Sequence, residues 1–198
     1  MFSRLVIIMT SSKNCWSCDK KIGHKDFVCN ACGVLQKPFE LNPFDIFSID
    51  KKFEIDPKIL EEKYLELQIL LHPDKFINAS QEEKNFSNLH TSYVNNAFKV
   101  LRDDVSRIKV LLEYFGYQIT ENESFQDVSV LEEIMELQNK SMSVESESEK
   151  NKIKSQLMDK IEKETKTVSL LFNEKKYKDV HKSCIKLSYL QKINENLK

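Results

Sequence analysis

Apolar residues recur at helical spacing over most of this chain and at strand spacing almost nowhere. Leu60, Tyr64, Leu67, Leu70 and Leu71 fall in steps of four, three, three and one, which is one face of a helix turning ~100° per residue. Asp56-Pro57 stands just ahead of them. It is a start signal, because the aspartate caps free N–H groups and the proline has none to leave unpaired. A second stripe, Phe86, Leu89, Tyr93, Val94, Ala97 and Leu101, follows Ser80 and Glu83, which are spaced as a capping box. Asp103 and Asp104 open a third stripe through Val105, Ile108, Leu111, Leu112 and Phe115, stopped by Gly116. Asn42-Pro43 repeats the start signal before a short helix over 43–47, with Phe44 and Phe47 on one face. After a polar break at ENESFQ, the periodicity predicts three more helices, over roughly 128–142, 149–172 and 175–197. The SVESESE run between the first two reads as a solvated turn or an exposed first helical turn.

Composition agrees with a mainly α fold. Only three glycines and four prolines occur in 198 residues, and Lys, Glu, Leu, Ile, Asn and Ser dominate. Hydrophobic content is 40%, so long amphipathic helices over small cores are expected, not one deep core. A net charge of −1 argues against nucleic-acid binding by charge alone. No run of ~18 apolar residues is present, so no membrane span is expected. Residues 1–14 are apolar at the centre, hydroxyl-rich and free of acids. They read equally as a targeting segment or as a disordered terminus.

Cysteine spacing adds a second kind of structure. Cys15, Cys18, Cys29 and Cys32 form C-x2-C-x10-C-x2-C. Two residues between cysteines let both sulfurs of a knuckle turn onto one cation, and two facing knuckles make the closed S4 tetrahedron of structural zinc. Gly33 follows the second knuckle, where a turn needs positive φ. Trp16 and Phe27 supply apolar cover, and His24 is read as an exposed loop residue. Two disulfides would suit a secreted chain. A redox CxxC occurs once, at a strand–helix junction. An iron centre on four thiolates has the same geometry as zinc and is the less favoured occupant. Cys184, alone on a later helix, is read as a small core residue.

Between the first two long stripes stands HPDKF, residues 72–76. Pro73 fixes φ and stiffens the loop, so His72 and Asp74 are presented as a polar pair. Asp74 can accept a charge-assisted hydrogen bond from a partner's arginine. YLELQILLHPDKF followed by HTSYVNNAFKVLRD resembles a J-domain. That resemblance implies a loop that binds a DnaK-type chaperone and stimulates its ATP hydrolysis, with no chemistry of its own. NPFDIF, HPDKF, NNAFKVL and SRIKVLLEYFG together resemble the co-chaperones of iron–sulfur cluster assembly, the HscB type. The cysteine module resembles the zinc-binding extension of some eukaryotic members.

The resemblance implies a small N-terminal zinc-knuckle module over 15–41, a helical J-domain hairpin over 42–118 and a C-terminal three-helix scaffold-binding bundle over 125–198. It implies chaperone contacts at His72, Pro73, Asp74, Lys75 and Lys63, with Ile69 where members commonly have a basic residue. It also implies a face for the cluster scaffold protein made by Leu131, Met135, Glu136 and Tyr189. On periodicity alone Leu131 and Met135 read as bundle core, since a Met-Leu stripe at helical spacing is usually packing. Glu132 and Asn139 depart from the usual apolar and acidic residues of that face. The partners implied are a mitochondrial DnaK-type chaperone and a scaffold protein. A homodimer is compatible, and nucleic acid and membrane are not expected. Localisation in the mitochondrial matrix, with room for a cytosolic pool, follows from the eukaryotic relatives. The competing classes are a general J-domain co-chaperone with other clients, a zinc-dependent nucleic-acid module and a cysteine oxidoreductase. No base or Gly-rich phosphate loop accompanies the cysteines, so an enzyme is not expected.

Overall fold

Capping side chains start the helices close to where the sequence places them. The computed structural model describes residues 12–119, 128–144 and 146–197, so most of residues 1–14, read above as a targeting segment or a disordered terminus, and the ENESFQ break lie outside the described residues. Two short antiparallel strands come first, β1 (Ser12–Asn14) and β2 (Lys21–Gly23). They are followed by α1 (Pro43–Ile46), α2 (Pro57–Leu71), α3 (Gln81–Arg102), α4 (Asp104–Tyr114), α5 (Val128–Met142), α6 (Glu147–Asn173) and α7 (Tyr177–Asn196). Asn42 accepts from the Phe44 N–H at 3.0 Å, and Asp103 accepts from the Ser106 N–H at 2.7 Å. Ser146 accepts from the Glu149 N–H at 3.2 Å, so the acidic run is the first turn of α6, which begins two residues earlier than expected.

The chain divides into two compact units, Met1–Ile49 with Lys58–Phe98, and Asp50–Pro57 with Lys99–Lys198. In the first, α2 and α3 form the expected hairpin. Tyr64 stacks on Phe98 with centroids 4.0 Å apart, and Tyr64 Oη and Gln68 Nε2 both donate to Asn95 Oδ1. The predicted stripe on α3 needs correction. Leu89 and Tyr93 are exposed, whereas Ser87 and His90 are buried beside Val94 and Ala97. Ser87 Oγ donates to the Leu71 carbonyl at 2.6 Å, and His90 Nε2 lies 2.8 Å from the Gln36 carbonyl oxygen. Satisfied in this way, two polar side chains occupy positions that hydrophobicity assigned to their neighbours.

In the second unit α5, α6 and α7 enclose a core of Ile134, Leu137, Leu157, Leu190, Ile193 and Leu197. The α4 helix, grouped with the hairpin on sequence, packs on α7 and buries Val105, Ile108, Leu111 and Leu112 in this unit. Cys184 is buried, and its thiol, pushed up to about 11 chiefly by burial, points at the Val105 carbonyl. A chain of charges crosses the bundle: Lys160 of α6 pairs with Glu133 of α5, Lys186 of α7 lies 3.6 Å from Glu133, and Glu164 of α6 lies 3.4 Å from Lys186. No helix among the described residues is long and apolar enough to cross a membrane.

Candidate functional site

Proline shapes the tip of the hairpin. Pro73 cannot continue the ladder of α2, and Pro73–Phe76 folds instead as one 3-10 turn, where an irregular loop was expected. His72 caps this turn: its Nδ1 accepts from the Asp74 N–H at 3.3 Å and lies 3.6 Å from Asp74 Oδ2. With Nδ1 used as acceptor, the neutral ring carries its proton on Nε2. Both side chains are exposed, and Lys75 beside them is exposed as well. Leu71, the residue before the tip, has its carbonyl held by Ser87 Oγ at 2.6 Å and Thr91 Oγ1 at 3.2 Å. Lys63 is not at the tip. Nine residues before His72, it lies about 13 Å back along the helix axis. There it lines an open groove of ≈ 580 Å³ whose other walls include Phe27, Phe47 and Leu70. Four residues apart, Leu65 and Ile69 are 52% and 66% exposed, and His72 follows on the same flank three residues later. Sequence reasoning singled out Ile69 but missed Leu65, which only its exposure reveals.

Cysteine geometry is that of two matched knuckles. The Cys15 N–H donates to the Lys20 carbonyl and the Cys29 N–H to the Val34 carbonyl, both at 2.9 Å. The Asp19 N–H returns to the Cys15 carbonyl, as the Gly33 N–H does to that of Cys29. The fourth residue after each leading cysteine has positive φ, 56° at Asp19 and 76° at Gly33, which Gly tolerates freely and Asp more readily than most. Backbone N–H groups of Ser17 and Ala31 each point at a leading sulfur at 3.4 Å.

All four Sγ atoms lie within 4.8 Å of one another, with Cys15–Cys32 and Cys18–Cys29 at 3.7 Å. A regular tetrahedron with metal–sulfur bonds of about 2.3 Å has edges of about 3.8 Å, so the four thiolates fit one ion of zinc's size. Electrostatics agree. Burial raises the Cys15 thiol, but donors from the Cys18 and Ser17 backbone, Gln36 and Cys32 outweigh it and bring the group down to about 6. At Cys32 the Val34 N–H lowers the value, but burial and the other three sulfurs push it up to about 12. Four sulfurs this close cannot all shed protons without a cation among them. His24 is exposed against Phe39 and is outside the cluster.

Trp16 is a docking residue more than a cover. Its Nε1 donates to the Leu35 carbonyl at 2.8 Å, and its ring meets Phe86 of α3 edge-on. The Leu35 N–H donates to Glu83 Oε1 at 3.2 Å, and Phe27 meets His90 edge-on.

On α5 the sequence-selected residues sort by exposure. Met135 is 61% exposed and Tyr189 of α7 is 44% exposed, while Leu131 is half-buried. The buried side of α5 is made instead by Ile134 and Leu137. Glu136 is exposed and bonded to Lys140 at 2.6 Å, which holds its carboxyl below the usual range.

Comparison with known proteins follows the same outline. The family model described as "HSCB C-terminal oligomerisation domain" matches residues 126–198. The human iron–sulfur cluster co-chaperone protein HscB is 33% identical over 93% of this chain and 80% of its own length. The homologue from Arabidopsis thaliana is 30% identical over 99% of this chain and 77% of its own. The crystal structure of human HscB superposes with a TM-score of 0.86, covering 93% of this chain and 96% of that one. HscB from Vibrio cholerae, at 22% identity and a TM-score of 0.72, shares the fold.

Proposed function

Because this chain belongs to the HscB family of iron–sulfur cluster co-chaperones, we propose that it stimulates the ATPase of a DnaK-type chaperone and presents an iron–sulfur cluster scaffold protein to it. The observation that carries this reading is the tip itself, where the Pro73 turn presents exposed His72 and Asp74 side chains side by side. A co-chaperone of this kind performs no covalent step. It binds the hydrolysis-competent state of its partner more tightly than the resting state, and shifts the population by that difference. His72 Nε2–H and the Asp74 carboxylate offer one donor and one charged acceptor on a tip held in one shape before contact. A hydrogen bond to a charged group contributes roughly 1.5–3 kcal/mol, and pre-organisation keeps much of it from being lost to ordering.

Around the tip, Lys75 adds a cation, and Lys63 contributes from the groove. The client site in this reading is the outer face of the bundle at Leu131, Met135, Glu136 and Tyr189. The cysteine site holds one zinc ion, which supplies no chemistry beyond cross-linking the two knuckles. The chain works in the mitochondrial matrix, where eukaryotic cluster assembly would place its chaperone.

ATP turnover by a DnaK-type chaperone, measured with the scaffold present, tests this. The intact chain should accelerate turnover, and His72→Gln should abolish the effect without altering the circular dichroism spectrum. A folded His72→Gln variant that stimulates fully would refute the reading.

A further inference from the structure

Inside the first unit, hydrogen bonds run from the sulfur cluster to α3, and a second set runs from α3 to the residue before the hairpin tip. Gln36 is buried, its side-chain Nε2 donating to Cys15 Sγ at 3.3 Å while its backbone carbonyl oxygen meets His90 Nε2 at 2.8 Å. Glu83 binds in two directions: Oε1 accepts from the Leu35 N–H at 3.2 Å, and Oε2 accepts from Ser80 Oγ at 3.4 Å. Ser80 in turn accepts from the Glu83 N–H at 3.2 Å, which closes the capping box of α3 four residues after the 3-10 turn ends at Phe76. Glu83, Phe86 and His90, the residues of α3 that the module touches, share one face. Ser87 and Thr91, in the same stretch, hold the Leu71 carbonyl next to His72.

The first turn of a helix has N–H groups with no partner inside the helix and opens easily. Here the segment between the tip and α3 is itself exposed at Ile77, Asn78 and Ser80. A module that merely hung beside the hairpin would not bury a histidine and a glutamine against each other. We infer that Gln36 and Glu83 are positioning residues. Through them the loaded cysteine site clamps the first turns of α3, and that clamp fixes the His72–Asp74 tip from behind. The metal's part is to fix Cys15, and with it the Gln36 amide and the Leu35 backbone. The consequence for the chaperone contact rests on the function proposed above. The clamp itself does not.

Hydrogen–deuterium exchange of the full chain tests the clamp directly, with zinc loaded and after chelation. Chelation should speed exchange over 77–90 by about tenfold, a measure of local opening, as well as over 12–36, and leave α5–α7 unchanged. Zinc-loaded Glu83→Ala should show the same acceleration over 77–86 while keeping its full metal content. Glu83→Gln, which retains an acceptor oxygen for the Leu35 N–H, should restore protection. In the chaperone assay, Glu83→Ala should raise the concentration for half-maximal stimulation and Glu83→Gln should not. Unchanged exchange over 77–90 after chelation, or over 77–86 in loaded Glu83→Ala, overturns the clamp. Stimulation that survives His72→Gln overturns the chaperone reading instead, and leaves the exchange result to judge the clamp alone.

Discussion

Truncating Met135 and Tyr189 together to alanine separates a binding face from a packing face. Fully burying a side chain of this kind contributes roughly 1.5–3 kcal/mol. Met135 is 61% exposed and Tyr189 44% exposed, so a partner covering both can recover only those fractions, about 0.9–1.8 and about 0.7–1.3 kcal/mol. Their sum is about 1.6–3.1 kcal/mol, or roughly a 15- to 190-fold rise in Kd. Because neither residue belongs to the bundle core, no core cavity forms, and the stability cost should be confined to the part of each side chain already buried and stay below that of emptying a core position. Leu157, fully buried in that core, is the control: Leu157→Ala should cost ~2–5 kcal/mol, about 2–4 °C of Tm per kcal/mol in a chain of this length. Calorimetric titration with the scaffold protein and thermal unfolding by circular dichroism make the comparison. Loss of scaffold affinity with a smaller fall in Tm than Leu157→Ala produces supports the assignment. A double variant that is fully folded and binds the scaffold with unchanged Kd refutes it, and one that melts like Leu157→Ala returns the pair to the core.

Metal analysis of the purified chain should find one zinc per molecule, and Cys29→Ser should lose it while helical ellipticity stays nearly constant, since the helices do not depend on the knuckles for their cores. A coloured iron-containing preparation would contradict this. Gly33→Ala should weaken metal binding by about 1–2 kcal/mol, because its φ is 76° and an added Cβ meets nothing within 4 Å, so the cost is conformational; competition with a chromogenic chelator reads it. His90 provides a pH test. Burial, set against the Gln36 carbonyl and aided by the charge of Lys13, holds its imidazole below the ordinary 6.5. The unfolded chain therefore takes up a proton that the folded one refuses, and stability present above pH 6.5 is lost as pH falls from there toward the folded value. Urea midpoints of the zinc-loaded protein should fall more steeply below that pH than those of His90→Gln, and parallel curves would exclude His90 as the cause.

Much of this was legible because the signals were local. A cap followed by proline announces a helix start whatever lies around it, so α1 and α2 begin as expected, and α5 runs as periodicity drew it. The cysteine knuckles were legible for a similar reason: ligand spacing is a property of a few consecutive residues. What could not be read were choices made by distant partners. Strands of three residues carry no period, so β1 and β2 were invisible. Ser87 and His90 displaced Leu89 and Tyr93 from the interior because acceptors at Leu71 and Gln36 were waiting for them. Asp19 takes the left-handed turn that only Gly33 advertised. Glu83 showed its capping role but not its second bond to Leu35, and α4 gave no sign that its apolar face is matched to α7. The division of the α5 residues into exposed Met135 and buried Ile134 also needed the structure, since neighbouring apolar positions differ by only ~100° around the helix.

The row of charges from Lys160 through Glu133 and Lys186 to Glu164 bears on which arrangement of the bundle is allowed, more than on how tightly it holds. Aliphatic side chains such as Leu137, Leu157 and Leu190 tolerate exchange and small shifts, since one apolar surface accepts another nearly as well. Half-buried ions do not. Sliding α6 by one turn would carry Lys160 and Glu164 about 5.4 Å along the axis and leave partly desolvated charges facing the wrong sign or none. Burial in the bundle is therefore indifferent among several alignments, while the ions accept one. Drift of the aliphatic positions over evolutionary time can continue under that constraint without relocating the outer surface at Met135 and Tyr189, because the alignment is encoded in four side chains that take no part in the greasy interior.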